Sequence, residues 1–342
     1  MVTERGLQVL RAIVQDYVET HEPVGSRSIV DRYSFGVSAA TIRNDMALLE
    51  DEELITAPHT SSGRVPTDKG YRVFVDHLAQ LRPLSMAQRT AIESFLADPV
   101  DLDDLMARTV RVLTQLTGQV ALAQYPSFAR AHLTHLELVA LAPNRMLIVL
   151  VTDAGGVSQR VTPLPVALDE GDIAVLRARL SALITGRAVS DAAERLQTLL
   201  DDQATTDAAL RVLAGVIIDE LGEFRQERLV MAGAATLARR GEDFRGSIHP
   251  LLEAIEEQVT LLRLMSEMEA DAHGLATSIG TENAPFGLGE ASIVASDYAA
   301  PGGTARVGVM GPVRMDYPSN LAAARAVARY LSRMLDEDEA GR

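Results

Sequence analysis

The residues with the most defined chemistry lie in a short run that includes Thr41, Arg43 and Asn44. An arginine guanidinium can donate two hydrogen bonds to O6 and N7 of guanine, and an asparagine amide pairs with N6 and N7 of adenine. Small side chains such as those of Ala40 and Thr41 let a helix approach thymine methyl groups closely. This combination favours a surface that reads base edges in the major groove.

Three short predicted helices would position this run. Apolar residues recur three and four positions apart between Leu7 and Val18, so we expect a first helix that begins after Thr3. Ser26 is expected to cap a second helix and Ser38 a third, with a tight glycine-containing turn between them. The third helix would bury Ile42, Met46 and Leu49. This order of elements is typical of a helix-turn-helix, whose last helix lies in the major groove.

A β-hairpin is predicted to follow the third helix. Residues 54–59 and Val65-Pro66 read as its strands, and residues 60–64 as the turn between them. The turn offers small hydroxyls, a glycine and a cation, which together can follow a phosphate backbone or enter a minor groove. Thr67 is expected to cap a fourth helix. The hairpin and this helix complete the pattern of a winged helix.

The distribution of charge supports contact with phosphates from one side only. The chain of 342 residues has a net charge of −15, which argues against non-specific coating of nucleic acid. Residues 1–82 carry a net charge of only −3, and an acidic run at 50–53 lies at the far end of the third helix. The residues predicted to contact DNA are Arg27, Ser38, Ala40, Thr41, Arg43, Asn44, Ser62, Gly63, Arg64, Lys69 and Arg72.

The rest of the chain alternates between strands and helices. Three strands are predicted between 135 and 163, a helical block over 169–226, and a further helix over 248–268. Strands return between 275 and 310, before a final helix over 319–335. Strands that are interrupted by helices and then resume indicate one mixed α+β domain with an insertion.

No group of residues predicts catalysis, a metal site or a cofactor site. The chain has no cysteine, which excludes disulfides and thiolate sites. His132 and His135 lack an evident third ligand, and the glycine pairs near 287 and 302 do not precede a helix with phosphate-loop spacing. We therefore expect a protein that is not an enzyme. The absence of a signal peptide or of a long apolar stretch favours the cytoplasm and no membrane partner.

Four segments resemble one known family. They are residues 38–46, residues 59–72, residues 279–283 and residues 308–317. The second segment, HTSSGRVPTDKGYR, is long and unusual for a generic winged helix. On these segments the sequence resembles the HrcA family of heat-inducible transcription repressors.

The resemblance implies an α+β fold with three parts. A winged helix-turn-helix would occupy 1–82, a linker 83–102, and a GAF-like domain 103–168 and 246–342, with an inserted helix-rich dimerisation domain at 169–245. It also implies a homodimer that binds a CIRCE-type inverted-repeat operator in double-stranded DNA and represses chaperone operons. The GroE chaperonin would maintain this activity, which heat stress would remove. The alternative is a winged-helix regulator that is gated by a small ligand.

Overall fold

The computed structural model describes residues 2–59, 62–78, 83–128, 131–202, 207–225, 228–239, 244, 249–300 and 303–340. The chain divides into two compact units. The first contains Met1–Ala123, Leu229–Asp297 and Arg306–Ala328. The second contains Gln124–Arg228, Tyr298–Ala305 and Arg329–Arg342. Both combine helices with antiparallel sheet, so the chain is of the mixed α+β class.

The N-terminal elements follow the order that the sequence predicts. They are α1 (Glu4–Thr20), α2 (Ser26–Arg32), α3 (Ala39–Asp51), β1 (Ile55–Thr56), β2 (Val65–Pro66) and α4 (Asp68–Asp76). The hydroxyl of Thr3 accepts a hydrogen bond from the Gly6 amide, that of Ser38 one from Thr41, and that of Thr67 one from Gly70. These bonds satisfy amides that the first turn of each helix would otherwise leave without a partner, which confirms the predicted caps at Thr3, Ser38 and Thr67. The cap expected at Ser26 is wrong, because α2 begins at Ser26 itself and Gly25 occupies its N-cap position without a side-chain hydrogen bond.

The remaining helices and strands are α5 (Met86–Leu96), α6 (Leu102–Thr117), β3 (Val120–Gln124), β4 (Leu133–Ala142), β5 (Arg145–Thr152), β6 (Val157–Pro163), α7 (Glu170–Ile184), α8 (Val189–Asp201), α9 (Ala208–Arg225), β7 (Leu229–Ala232), α10 (Ala234–Arg239), α11 (His249–Glu257), α12 (Val259–Glu267), β8 (Leu275–Ile279), a 3₁₀ helix (Gly280–Phe286), β9 (Ala291–Ala300), β10 (Gly303–Pro312) and α13 (Tyr317–Ala340).

A five-stranded sheet with the order β7-β3-β10-β9-β8 organises the first unit. On β9, Ile293 packs in an apolar cluster that includes Leu261 and Leu264 of α12. Its neighbour Ser292 points to the opposite face, where its hydroxyl bonds the Tyr317 hydroxyl at the start of α13. Helices therefore cover both faces of this strand, which explains why most of its residues are buried.

Two features of the first unit differ from the sequence-based expectation. The strands β3 and β7 were not predicted. The single helix expected over 248–268 is two helices, because Gln258 between α11 and α12 has a φ of 41°. A left-handed residue cannot continue a right-handed helix, so the chain changes direction there.

The second unit is a three-stranded antiparallel sheet, β4-β5-β6, with helices packed on one face. Leu138 lies opposite Ile148 in the register of β4 and β5, and both side chains join Leu180 of α7 and Leu213 of α9 in one core. The expected insertion began at residue 169, whereas this compact unit begins at Gln124. The difference arises because the helices α7–α9 bury their apolar faces on these three strands.

The opposite face of the same sheet carries a patch of apolar side chains, although Glu137 and Gln159 flank Val149 on that face. Val139, Leu147 and Val161 lie side by side across β4, β5 and β6. Val139 and Val161 are each 42% exposed, and Leu141 and Val157 just over half exposed. An antiparallel sheet with one face in water normally places polar residues on that face. This surface, defined by Val139, Leu141, Leu147, Val149, Val151, Val157 and Val161, is hereafter the outer sheet face.

Candidate nucleic-acid interface

Helix α3 presents one exposed face that carries the predicted base-reading residues. Ala40, Arg43 and Asn44 are exposed, and Thr41 is partly buried. Ser38 precedes the helix and uses its hydroxyl to cap it, 3.3 Å from the Thr41 amide nitrogen. The structure thus brings these five residues together on the first turns of a single helix.

A partly buried ion pair fixes α3 against α1. Arg5 of α1 donates from Nε to Asp45 Oδ2 at 2.7 Å and from Nη2 to Asp45 Oδ1 at 3.0 Å. Asp45 is only 4% exposed, so its carboxylate depends on this partner for compensation. Two parallel bonds set direction as well as distance. The orientation of the exposed α3 face therefore depends on a residue that the sequence did not single out.

A second buried carboxylate holds α2 in the same way. Asp16 of α1 accepts a hydrogen bond from the Tyr33 hydroxyl at 3.0 Å and lies 3.0 Å from Nη1 of Arg32. Burial and the neighbouring Asp16 raise the pKa of Tyr33 to about 12. Both carboxylates occupy the buried stripes of their helices. A charged residue in such a stripe was the signal in the sequence that could have identified them.

The hairpin is fixed to the loop between α1 and α2. Val24 and Arg64 exchange two backbone hydrogen bonds, each 2.9 Å long. A Cβ atom at Gly63 would lie 2.5 Å from the carbonyl oxygen of Pro23, so only glycine allows this approach. Ser62 closes the turn through bonds between its hydroxyl and the backbone of His59. Thr60 and Ser61, also predicted at the tip, lie outside the described residues.

The other predicted cations have protein partners. Arg64 bonds Glu50 at 2.9 Å, and Lys69 donates to the carbonyl oxygen of Glu52 at 2.8 Å. Arg72 pairs with Glu282, which lies 210 residues later in the sequence. The positive and negative side chains of these elements are therefore less separated in space than the sequence predicts. Within the part of the chain that the structure describes, Arg27 and Arg43 have no ion pair, and both are exposed.

In the part of the chain that the structure describes, no group of three or more histidine, aspartate or glutamate side chains is arranged to hold a metal ion. Among these same residues, no helix is both long enough and apolar enough to cross a membrane.

Comparison with known proteins decides the family. A sequence model described as the HrcA protein C terminal domain matches residues 103–320. A protein named heat-inducible transcription repressor HrcA from Clavibacter michiganensis subsp. michiganensis is 62% identical, covering 98% of this chain and 100% of its own length. A protein of the same name from Leifsonia xyli subsp. xyli is 61% identical, again covering 98% of this chain and 100% of its own length. The chain belongs to the HrcA family.

Membership in HrcA confirms two predictions from the sequence. It places the chain among heat-inducible transcription repressors, and HrcA is a repressor family rather than an enzyme family. A solved structure described as a hypothetical protein at 2.2 Å resolution shares the fold, with a TM-score of 0.66, 24% identity, and coverage of 98% of this chain and 99% of its own.

The Asp16–Tyr33 contact predicts a pH-dependent contribution to stability. Tyr33→Phe removes the hydroxyl that bonds Asp16, so we expect a loss of about 1 kcal/mol in the free energy of unfolding at pH 7. The folded pKa of about 12 lies above the ordinary value of 10.0. The advantage of the wild type is therefore fully present below pH 10 and lost as the pH rises through about 12.

Urea denaturation at several pH values measures this effect. Tyr17→Phe is the matched control, because the Tyr17 ring, which lies 5.4 Å from the Arg314 guanidinium, is retained in phenylalanine. Equal stability of Tyr33→Phe and wild type at pH 7, or a difference that persists unchanged at high pH, would contradict the assignment.

Proposed function

We propose that residues 2–78 form a winged helix-turn-helix that binds double-stranded DNA through the exposed face of α3. The observation that carries this proposal is the exposed pair Arg43 and Asn44 on a helix held in place by the Arg5–Asp45 ion pair. A rigid helix loses little conformational entropy on entering a groove. The two side chains match the donor and acceptor patterns of guanine and adenine.

The predicted contact residues divide into three roles under this proposal. Ala40, Thr41, Arg43 and Asn44 read base edges, and Arg27 and Lys69, both exposed, contact phosphates. Lys69 can do so while it bonds the Glu52 carbonyl oxygen, because its ammonium group has three donors. Ser38, Ser62 and Gly63 shape the helix start and the hairpin, where their backbone groups can face the DNA. Arg64 reaches a phosphate only by exchanging or sharing its bond with Glu50, and Arg72 must leave Glu282 to do so.

Variants of Arg43 and Lys69 test the division between base reading and phosphate contact. Arg43→Ala should cost about 1–3 kcal/mol on the operator and little on random DNA. Lys69→Ala should weaken binding to every sequence and lower the slope of log affinity against log salt by about one. Fluorescence anisotropy over a salt series measures both effects.

Arg89→Ala is the control for loss of positive charge, because Arg89 is exposed on α5 outside the winged helix. It should bind as the wild type does. Equal losses on operator and random DNA for both Arg43→Ala and Lys69→Ala would refute the proposed roles.

We further propose that the protein is a homodimer joined through the outer sheet face. A twofold protein presents two copies of α3 to the two halves of an inverted-repeat operator of the CIRCE type. We assign a second copy of the chain to this face, because an isologous contact buries the same apolar surface on both chains.

On this basis the inserted dimerisation domain is the second unit, which begins near residue 124 rather than at 169. The five-stranded sheet and its helices then form the GAF-like domain, with residues 83–102 as the linker.

A charge within the outer sheet face should separate the protomers. Val161→Glu would bury a carboxylate beside Leu147 of the same chain in the assembled dimer, at a cost that favours dissociation. Sedimentation equilibrium should show a dimer for the wild type and a monomer for the variant. Val175→Glu, on an α7 residue that is 67% exposed, is the control and should remain dimeric. A dimeric Val161→Glu variant, or a monomeric wild type, would argue against this interface.

Repression of chaperone operons in the cytoplasm, with activity maintained by the GroE chaperonin, completes the proposal. The first unit is assembled from three separate chain segments, and residue 120 pairs with residue 310. Such long-range pairing slows folding and leaves apolar surface exposed during it. A chaperonin that captures this surface would raise the yield of folded repressor, and heat would divert the chaperonin to other chains.

Refolding measures this dependence directly. Heat-denatured protein is diluted into buffer with chaperonin and ATP, with chaperonin but no nucleotide, or with neither, and operator binding is then assayed. We expect several-fold more binding with chaperonin and ATP than with neither, because pairing between residues as distant as 120 and 310 slows folding and prolongs the exposure of apolar surface. Equal recovery in all three would count against a chaperonin requirement.

A further inference from the structure

Helix α4 contacts the five-stranded-sheet part of the first unit through two side chains on one face. Arg72 donates from Nε to Glu282 Oε1 at 2.7 Å and from Nη2 to the carbonyl oxygen of Thr277 at 2.8 Å. One turn earlier, the Asp68 carboxylate accepts a hydrogen bond from the Thr281 amide at 2.9 Å. These contacts, between α4 and the start of the 3₁₀ helix, are hereafter the α4 latch.

The chain is shaped to admit this contact. Gly280 has a φ of 51°, and a Cβ atom there would lie 2.2 Å from Asp68 Oδ2. Any other residue at this position would therefore displace the Asp68 carboxylate. Glu282 also accepts a hydrogen bond from the Ile279 amide at 2.9 Å, which holds its carboxylate ready for Arg72. Burial is the largest single influence on the pKa of Arg72 and lowers it, but the hydrogen bonds and charges of Glu282 and Asp76 together outweigh burial, so the pKa is raised overall.

Apolar packing reinforces the polar contacts. Tyr71 of α4 is buried, with its ring centroid 5.6 Å from that of Tyr317. The Tyr317 hydroxyl is fixed by Ser292 at 2.9 Å and by the carbonyl oxygen of Val313 at 2.7 Å. A second contact lies nearby, where the Arg314 guanidinium stands 5.4 Å from the Tyr17 ring of α1. The start of α13 and the residues just before it thus pack against α4 and α1.

Other residues of α4 and its cap contact the DNA-binding elements. Lys69 bonds the carbonyl oxygen of Glu52, at the end of α3, at 2.8 Å. Thr67 donates to the carbonyl oxygen of Glu53 at 2.6 Å. Helix α4 therefore connects the end of α3 to the rest of the unit. Asp68 and Arg72 contact β8 and the 3₁₀ helix. Thr67 and Lys69 contact the residues that directly follow α3.

We propose that Asp68, Arg72 and Glu282 are positioning residues that fix the direction of α3 for simultaneous binding to both half-sites of an inverted repeat. This inference rests on the proposed function, since it assumes a dimer that binds DNA through α3. When one half-site is occupied, the second binding event depends on the effective concentration of the other α3. A winged helix that is held in one orientation keeps that concentration high.

The sign of the Glu282 effect separates positioning from ordinary electrostatics. Glu282→Gln removes a negative charge, so electrostatics alone would strengthen binding to DNA. A positioning role instead predicts about tenfold weaker binding to the full operator, with binding to an isolated half-site unchanged. The salt slope should remain that of the wild type, whereas the loss of a phosphate contact would lower it by about one.

Charge exchange and a control complete the experiment. Arg72→Glu should weaken operator binding as Glu282→Gln does, and the double variant Arg72→Glu with Glu282→Arg should recover most of it. Glu253→Gln removes the same charge from an exposed residue of α11 and should bind as the wild type does. Thermal unfolding of each variant identifies any loss of folded protein. Full-operator binding by Glu282→Gln that equals or exceeds that of the wild type would overturn the proposal.

A measurement without DNA distinguishes failure of the latch from failure of the proposed function. The chain has no cysteine, so Arg11→Cys on α1 and Glu256→Cys on α11 introduce two specific spin labels. Labelled chain is diluted into excess unlabelled chain, so that distances within one protomer dominate. The distance distribution should be narrow in the wild type and broader with Glu282→Gln, and equal widths would refute the latch. If the wild type does not prefer the operator to random DNA, the proposed function fails while this distribution still decides the latch.

Discussion

The first unit depends on the antiparallel pairing of β3 with β10. Val120 lies opposite Met310, and Ala123 opposite Val307. All the helices and strands between β3 and β10 in the chain must fold without changing this register. A shift by one residue would turn each buried side chain to the other face of the sheet. The four apolar residues at the start of β3 are fully buried, so the pairing also forms the centre of the core.

Buried carboxylates play the corresponding part at the N-terminus. A small three-helix unit has little apolar surface with which to define angles between helices. Asp16 and Asp45 supply directional contacts from α1 to α2 and to α3, each with an arginine that is about half exposed. Replacing such a pair by apolar residues can preserve stability, but it removes the directional hydrogen bonds. Under the proposed function, in which α3 enters DNA at a defined angle, this geometry accounts for charged residues inside a small core.

Local features of the fold were predictable from the sequence, and distant contacts were not. The caps at Thr3, Ser38 and Thr67 follow from residue type and the periodicity after them, because both act within one turn. Strand β3 was missed because a short apolar run without alternation gives no period by which to distinguish a buried strand from a helix. The hydrogen bond between Arg72 and Glu282 was not predicted, because the two residues lie 210 positions apart, beyond any local pattern. The exposed face of α3 was predicted well because one helical period determines it.

The chain passes from the first unit to the second at the end of one strand, and it returns at the start of the neighbouring strand. Its main segment begins at Gln124, where β3 ends, and finishes at Arg228, immediately before β7, the strand next to β3 in the sheet. The Tyr125 amide bonds the Arg228 carbonyl oxygen at 2.8 Å, so the two ends of this segment meet. A folded insertion whose ends meet costs its host about as much closure entropy as a short turn, whatever its length. To the five-stranded sheet, the whole insertion is therefore equivalent to a tight connection, and its size and surface can change in evolution without disturbing the register of the strands that carry it.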